Sequence, residues 1–198
     1  MRMRLVMLAL AVILTAQAHA AEKIKVGMLT TLSGPGSPLG VEVRDGFSLA
    51  LKHRGNALGG LPAEVIVSDD ALNPDLARQL AERMLKRDQA DVMTGIIFSN
   101  AMLAVGRAVF ESQTFYLSAN AGPSQLAGAQ CNPFFFNVAW QNDNLHEAMG
   151  KHVTDKGFSN ALALAPNYPA GKDAVTGFRR FYRATLADEI YTALNQLD

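Results

Sequence analysis

The stretch Ala63-Glu64-Val65-Ile66-Val67-Ser68-Asp69-Asp70, followed by Asn73-Pro74, decides the fold class of this 198-residue chain. Residues 63–67 form an apolar run that predicts a strand ending in polar residues. Asn73-Pro74 predicts a helix start, because asparagine caps free amides and proline suits the first helical position. A further apolar run, Val92 to Ile97, predicts a strand buried on both faces. Strand, helix and strand in this order predict a parallel sheet with right-handed crossovers.

The same alternation extends in both directions from this unit. On the amino-terminal side, the patterns predict a strand over Ile24–Leu29 and a helix over Val41–Arg54. On the carboxyl-terminal side they predict a helix over Ala101–Glu111 and a strand over Thr114–Leu117. A second unit is predicted to begin near Phe134, with strands over 134–138, 161–165 and 189–194 and helices over 142–156 and 172–183.

The charge balance and the cysteine count exclude several classes of protein. The chain carries 18 basic and 18 acidic residues, whereas a nucleic-acid partner favours a basic surplus. Its single cysteine, Cys131, excludes an internal disulfide framework and a four-thiolate metal site. We therefore expect a folded protein that does not have nucleic acid as its partner.

The first twenty residues carry the pattern of a secretory signal peptide. Arg2 and Arg4 form a charged start, Leu5 to Thr15 form a short apolar run, and Ala18-His19-Ala20 supplies small residues for cleavage. The run is too short to cross a bilayer comfortably as an anchor. We predict a signal peptide over residues 1–20, cleavage after Ala20 and export to a bacterial periplasm.

Enzyme signatures in the chain are incomplete. Gly34-x-Gly36 is similar to a dinucleotide fingerprint, but the position of the third glycine holds Leu39. Asp69-Asp70 could be a catalytic or metal-binding acid pair, although acids after a strand more often cap a helix or bind loop amides. No histidine or third carboxylate accompanies this pair in the sequence. His146 and His152 are predicted to be solvated on a helix, and we expect no cofactor and no metal.

Four loops follow the predicted strands of the first unit, at residues 30–38, 68–73, 97–101 and 118–124. In parallel sheets, ligands bind outside the carboxyl ends of the strands. These loops are rich in glycine, serine, asparagine and aspartate, which offer backbone amides and small polar side chains. They are the predicted site of a polar ligand.

Five motifs lie in these loops and in the second unit: Thr30-x-Leu32-Ser33-Gly34-Pro35, Asp69-Asp70-x-x-Asn73-Pro74, Gly95-Ile96-Ile97-Phe98-Ser99-Asn100, Ser118-Ala119-Asn120-Ala121 and Asn167-Tyr168-Pro169-Ala170-Gly171-Lys172-Asp173. Their order and spacing resemble the periplasmic substrate-binding proteins of ABC transporters for branched-chain amino acids and related compounds. The resemblance implies an α/β, two-lobed (type I) periplasmic-binding-protein fold. The first lobe, residues 21–133, would be nearly complete with a parallel sheet, and the second, residues 134–198, partial.

The same resemblance implies a set of ligand-binding residues. Ser99 stands where the family offers a serine to the ligand's carboxylate, and Tyr168 where the second lobe places an aromatic ring. Leu39 stands where amino acid binders often carry a tyrosine, a difference that fits an aromatic or small organic acid as well as leucine. The alternatives are a helix N-cap for Ser99 and loop packing for Tyr168. The full set is Leu39, Ser99, Asn100, Ser118, Asn120, Ala121, Gly122 and Tyr168.

The resemblance implies a receptor rather than an enzyme. It would bind a branched-chain amino acid or a related small carboxylate and deliver it to the membrane permease of an ABC transporter. A ligand-binding sensor component and an exported nucleotide-dependent enzyme are the alternatives. Because family members are much longer, the resemblance also implies a truncated chain whose strand 161–165 exposes apolar surface and lowers its solubility.

Overall fold

The computed structural model describes residues 23–194, which form two β-sheets flanked by helices. We call residues 23–137 the first lobe, 138–143 the crossing segment and 144–194 the second lobe. The predicted signal peptide, residues 1–20, lies outside the described residues. The strands are β1 (Ile24–Thr30), β2 (Ala57–Leu58), β3 (Leu61–Asp69), β4 (Val92–Thr94), β5 (Phe115–Ser118), β6 (Phe135–Asn137), β7 (Leu162–Pro166) and β8 (Asp188–Thr192). The helices are α1 (Ser37–His53), α2 (Pro74–Lys86), α3 (Ser99–Glu111), α4 (Ser124–Ala127), α5 (Asn144–Asp155) and α6 (Pro169–Phe181).

The first sheet has six strands in the order β2-β3-β1-β4-β5-β6. Only the short pair β2–β3 is antiparallel among these described strands, so the predicted α/β class with a parallel sheet is confirmed. The β2–β3 hairpin was not predicted from the sequence. Its turn, Gly59-Gly60, has φ values of 57° and 86°, a conformation that glycine adopts without steric cost.

The strand predicted over Val92–Ile97 is shorter in the structure, because the chain turns at Gly95. This residue has a φ of 104°, and a Cβ on it would lie 2.9 Å from the carbonyl oxygen of Leu29. Ile96 and Ile97 are still buried, so the apolar run continues as a buried loop instead of a strand. This loop leads directly into α3.

The second sheet contains β7 and β8, which pair in parallel from Leu162 and Asp188 onward. The strand predicted to open the second lobe, residues 134–138, lies elsewhere: β6 pairs in parallel with β5 of the first sheet, with Phe135 opposite Tyr116. That placement of the strand was wrong, because pairing with a distant strand, not local pattern, decides which sheet a strand joins. The chain therefore leaves the first sheet after Asn137.

The main core lies between the first sheet and the helices α2 and α3. It is built from fully buried apolar side chains, which include Met84, Met93, Met102, Val105 and Val109. Tyr116 is buried among them, and its hydroxyl oxygen accepts a hydrogen bond of 2.8 Å from the amide of Ile96. Burial raises the pKa of the Tyr116 phenol, so this hydroxyl stays neutral. The core thus fixes the loop that precedes α3.

The helices α1, α3 and α6 begin two to four residues earlier than the periodicity predicts. Their first turns contain proline, glycine or serine, which the apolar periodicity does not detect. α1 and α6 also approach the preceding strand closely. A Cβ on Gly40 would overlap the carbonyl oxygen of Thr31, and a Cβ on Gly171 would overlap that of Pro166. Glycine at these two positions lets each helix start against the end of the strand before it.

Both sheets have an apolar face that no described element covers. On the second sheet, Leu162, Leu164 and Ile190 are 55%, 64% and 42% exposed. On the first sheet, Leu117 lies opposite Phe136, and both are about half exposed. Sheets in α/β proteins are normally covered on both faces, so these faces are apolar surface in contact with water.

Between residues 23 and 194, no helix combines the length and apolarity needed to cross a membrane.

The double variant Leu162→Thr/Leu164→Thr is expected to increase the fraction of this chain that elutes as a monomer in size-exclusion chromatography. Threonine keeps the strand preference of β7 while removing apolar surface. Leu49→Thr is the matched control, since Leu49 is also 55% exposed but belongs to the helix α1 and not to a sheet. Equal monomer fractions for the double variant and the unchanged chain would contradict the expectation.

Candidate functional site

A cavity of about 310 Å³ lies between the two lobes. The first lobe contributes the loop after β4 with the start of α3, and the loop after β5. The second lobe contributes α5, the end of β7 and the first turn of α6. The lining residues are Ile97, Ser99, Asn120, Ala121, Trp140, Asn142, Leu145, His146, Leu164, Ala165, Pro166, Tyr168, Ala170, Gly171 and Ala174.

Four of the eight residues predicted for the site lie together in this lining: Ser99, Asn120, Ala121 and Tyr168. Ser99 is the first residue of α3 and is 2% exposed, and Phe98 is the N-cap residue, so the alternative role of Ser99 as the N-cap was wrong. The side-chain amide of Asn120 donates a 2.8 Å hydrogen bond to the carbonyl of Ile97, which joins the loops after β4 and β5. Both loops lie at the carboxyl ends of parallel strands, where ligands were predicted.

Tyr168 comes from the second lobe, as the N-cap residue of α6. Its ring centre lies 6.2 Å from that of Phe98, the residue before α3, and the rings are tilted by 58°. This contact joins the two lobes at the cavity. Burial, followed by the nearby carboxylate of Asp173, raises the pKa of the Tyr168 phenol, so it presents a neutral hydroxyl.

The other four predicted residues do not line the cavity. The hydroxyl of Ser118 is buried and donates to the carbonyl of Ala121 at 2.6 Å. Gly122 is a packing position, because a Cβ there would overlap the carbonyl oxygen of Trp140. Leu39 is 47% exposed on α1, and Asn100 follows Ser99 outside the lining. Ser118 therefore stabilises the loop after β5, and Gly122 lets that loop pack closely against the crossing segment.

The amino termini of two helices meet at this cavity. The first turns of α3 and α6 both contribute lining residues, and neither helix start is capped by a side chain from the described part of the chain. By contrast, the side chain of Asn73 caps α2 by accepting from the amides of Asp75 and Leu76, as predicted. Free first-turn amides and the positive end of the helix dipole favour an anion.

A chain of buried and half-buried polar side chains connects the lobes beside the cavity. Asp173 on α6 accepts from the amide and the hydroxyl of Ser124, at 3.0 Å and 2.6 Å. It also accepts from the side-chain amide of Asn142 at 2.9 Å, and the same amide reaches the Ser99 oxygen at 3.0 Å. Asp173 is 6% exposed. This network fixes the position of Ser99 relative to the second lobe.

Sequence reasoning missed several residues of the lining. Trp140, the only tryptophan of the chain, and Leu145 form an apolar side of the cavity, and His146 on α5 adds an exposed polar group. The exposure of His146 and His152 agrees with their prediction as solvated helix residues. Uniqueness is the signal that could have pointed to Trp140, because a lone large aromatic often serves a binding surface.

Asp69 and Asp70 lie outside the cavity and bind loop groups, the more common of the two predicted roles. Asp69 accepts from the amides of Leu32 and Ala71 at 2.7 Å and 2.8 Å. Asp70 accepts from the hydroxyl of Thr31 at 2.7 Å and from the amide of Leu72 at 3.0 Å. Within residues 23–194, no three histidine, cysteine or acidic side chains cluster to hold a metal.

The two aspartates have opposite pKa shifts. Burial raises the pKa of Asp70, and hydrogen bonds from Thr31 and the Leu72 amide only partly compensate. For Asp69, burial raises the pKa, but hydrogen bonds from Ser33 and the amides of Leu32 and Ala71 outweigh it and lower the pKa below its usual value. Asp70 therefore destabilises the fold once it is ionised, and Asp69 stabilises it.

Asp70→Asn is expected to gain stability relative to the unchanged chain as the pH rises from about 4 to 7. In that range the unfolded chain loses the Asp70 proton first, because the folded pKa is the higher one. Urea unfolding at a series of pH values measures the difference. Asp69→Asn is the control of opposite sign, because the folded chain loses the Asp69 proton before the unfolded chain does, so the relative stability of this variant should fall as the pH rises to about 4. A pH-independent difference for Asp70→Asn would refute the prediction.

Two α/β lobes with a cavity between them are the architecture typical of cleft-type ligand-binding proteins. A family model described as periplasmic binding protein matches residues 23–198, and the chain belongs to that family. It is 23% identical over 167 residues to the Leu/Ile/Val-binding protein homolog 6 of Brucella abortus (strain 2308), covering 84% of this chain and 42% of that protein.

Solved structures show the same fold. An R. palustris solute-binding protein of an ABC transporter, in complex with benzoate, is 26% identical with a TM-score of 0.85, over 89% of this chain and 50% of that one. The Streptococcus pneumoniae branched-chain amino acid binding protein LivJ, in complex with isoleucine, is 17% identical with a TM-score of 0.79, over 89% and 51%. The chain thus spans about half the length of the proteins that it matches.

Proposed function

We propose that this protein is a periplasmic receptor that binds a small carboxylate between its lobes and delivers it to the permease of an ABC transporter. The observation that carries the proposal is the meeting of two helix amino termini, one from each lobe, at the cavity. Such termini attract anions through free amides and the helix dipole. The predicted signal peptide, residues 1–20, supports export to the periplasm.

The rest of the cavity supports a ligand with an apolar or aromatic body. Trp140, Leu145 and Tyr168 provide apolar and aromatic surface opposite the polar start of α3. The ligands bound in two matched structures, benzoate and isoleucine, both combine a carboxylate with an apolar body. Benzoate-type acids and branched-chain amino acids are therefore the two ligand classes to test.

The placement of the cavity supports a closing mechanism. A ligand that contacts α3 of the first lobe and α6 of the second binds more tightly when the lobes are close together. It would therefore shift the population toward a closed form, and the permease would recognise that form. The ligand would then pass to the permease when the lobes separate.

Ser99→Ala is expected to weaken the binding of benzoate or isoleucine, whichever the unchanged chain binds, by about tenfold to a hundredfold. A hydrogen bond to a charged group contributes about 1.5–3 kcal/mol, and this variant removes one such donor. Isothermal titration calorimetry gives the affinities. Leu39→Ala serves as control, because Leu39 lies outside the lining. No binding of either acid, or equal affinities for the Ser99 variant and the unchanged chain, would count against this site.

A further inference from the structure

We infer that Asn142 is a positioning residue that turns the hydroxyl hydrogen of Ser99 toward the ligand, with Asp173 holding Asn142 in the required orientation. The inference rests on the proposed function, because the ligand's carboxylate is the acceptor of that hydrogen. The observation behind it is a single side-chain amide group that donates twice. Nδ2 of Asn142 lies 2.9 Å from Oδ2 of Asp173 and 3.0 Å from Oγ of Ser99.

Asp173 fixes which end of the Asn142 side chain faces it. A carboxylate only accepts hydrogen bonds, so the NH₂ group of Asn142 must point toward Asp173. The carboxylate itself is immobile, because it is 6% exposed and accepts from both the amide and the hydroxyl of Ser124. The amide of Asn142 therefore has one orientation, and its second hydrogen is directed at Ser99.

This orientation determines what Ser99 does. A hydroxyl has one hydrogen to donate, and it also accepts through its oxygen. Because the Ser99 oxygen accepts from Asn142, its own hydrogen is left for another acceptor, and the structure gives it none among residues 23–194. Ser99 lines the cavity at the start of α3, so the unused hydrogen and the first-turn amides serve the same anion.

The network also makes the direction of the Ser99 hydroxyl depend on the relative position of the two lobes. Ser99 and Ser124 belong to the first lobe, Asn142 to the crossing segment and Asp173 to the second lobe. A change in the distance between the lobes would break the contact of Ser124 with Asp173 and release Asn142. The Ser99 hydroxyl is thus directed at the carboxylate only while the lobes hold this arrangement.

A double-mutant cycle tests the inference with benzoate and isoleucine as probes. Asn142→Ala alone is expected to weaken binding by about fivefold to tenfold, but by less than about twofold in a Ser99→Ala background. Such non-additivity is what a residue acting through Ser99 produces. The same fold-change in both backgrounds would overturn the inference while leaving the proposed function intact. If the unchanged chain binds neither probe, the proposed function and this inference both fail.

Asn142→Asp supplies a pH signature that a purely structural role would not give. The new carboxylate accepts the Ser99 hydrogen, so binding is expected to fall by about thirtyfold at pH 8, relative to the unchanged chain at that pH. The Asp173 carboxylate beside it raises the pKa of the new carboxyl group, because two adjacent carboxylates resist ionising together. Protonation restores a donor, so the ratio of affinities should return toward one as the pH falls. A ratio that does not change with pH would overturn the inference.

The side-chain amide signal of Asn142 in ¹⁵N NMR spectra provides a measurement without ligand. Ser99→Ala is expected to shift that signal because it removes an acceptor, and Asp173→Asn to shift it because it replaces a charged acceptor by a neutral one. Ser112→Ala is the control, because Ser112 bonds within its own loop far from Asn142. An Asn142 signal that Ser99→Ala leaves in place would contradict the hydrogen bond itself. The same spectra report whether each variant is folded.

Discussion

Gly40→Ala is expected to lower the free energy of unfolding by about 4 kcal/mol or more, which is a large fraction of the stability of a typical domain. The added Cβ would overlap the carbonyl oxygen of Thr31 and would lie 2.9 Å from Oγ1 of Thr30. The obstacle is backbone at the end of β1, so it cannot turn aside as a flexible side chain would. Either α1 or the first strand has to move.

Gly46→Ala is the matched control for this variant. Gly46 lies on the same helix, and nothing lies within 4 Å of a Cβ built there. Alanine is the better helix former, so this change is expected to stabilise the chain by about 0.8–1 kcal/mol. Urea unfolding followed by circular dichroism measures both. Similar stabilities for the two variants would disprove the close approach of α1 to β1.

Asp173→Asn is expected to lower the free energy of unfolding by about 3 kcal/mol. The substitution changes the size of the side chain very little but removes the charge that strengthens its three hydrogen bonds. The amide of Ser124 and the side-chain amide of Asn142 would donate to a neutral oxygen, and the hydroxyl of Ser124 would have to accept from the new NH₂ group instead of donating. Weakening a buried polar network in this way also loosens the contact between the lobes.

Asp155→Asn is the control for the network variant. Asp155 forms an exposed ion pair with Lys151, with its side chain 58% accessible. Exposed pairs of this kind contribute little, so the expected loss is below about 0.5 kcal/mol. Thermal and urea unfolding of both variants measure the loss in the free energy of unfolding. Comparable losses for the two variants would mean that the Asp173 contacts do not hold the lobes together.

Local sequence signals predicted the alternation of strands and helices because each signal acts over a few residues. The Asn73 cap of α2 and the apolar periodicity of α2 needed no distant partner. The sheet to which β6 belongs could not be predicted in this way, since it depends on pairing with β5. The end of β4 depends on the φ of Gly95, which an apolar run does not reveal.

Local sequence signals likewise identified some residues of the candidate site and not others. Motifs located Ser99, Asn120, Ala121 and Tyr168, because loops at the ends of parallel strands meet at one edge. Asn142 was missed, and Asp173 was part of a motif but was given no role, since Asn142 is 43 residues from Ser99 and 31 from Asp173 along the chain. Ser118 matches its motif, but its hydroxyl bonds the carbonyl of Ala121, a use that only the folded loop reveals.

The uncapped starts of α3 and α6 have a practical consequence for measuring affinity. First-turn amides that can donate to a carboxylate will also donate to chloride, sulfate or phosphate from the buffer, because helix amino termini attract anions in general. Each of these ions competes with the ligand, so the apparent Kd rises with the concentration of the salt. Titrations in a zwitterionic buffer with little inorganic anion will therefore give tighter binding than the same titrations in phosphate-buffered saline.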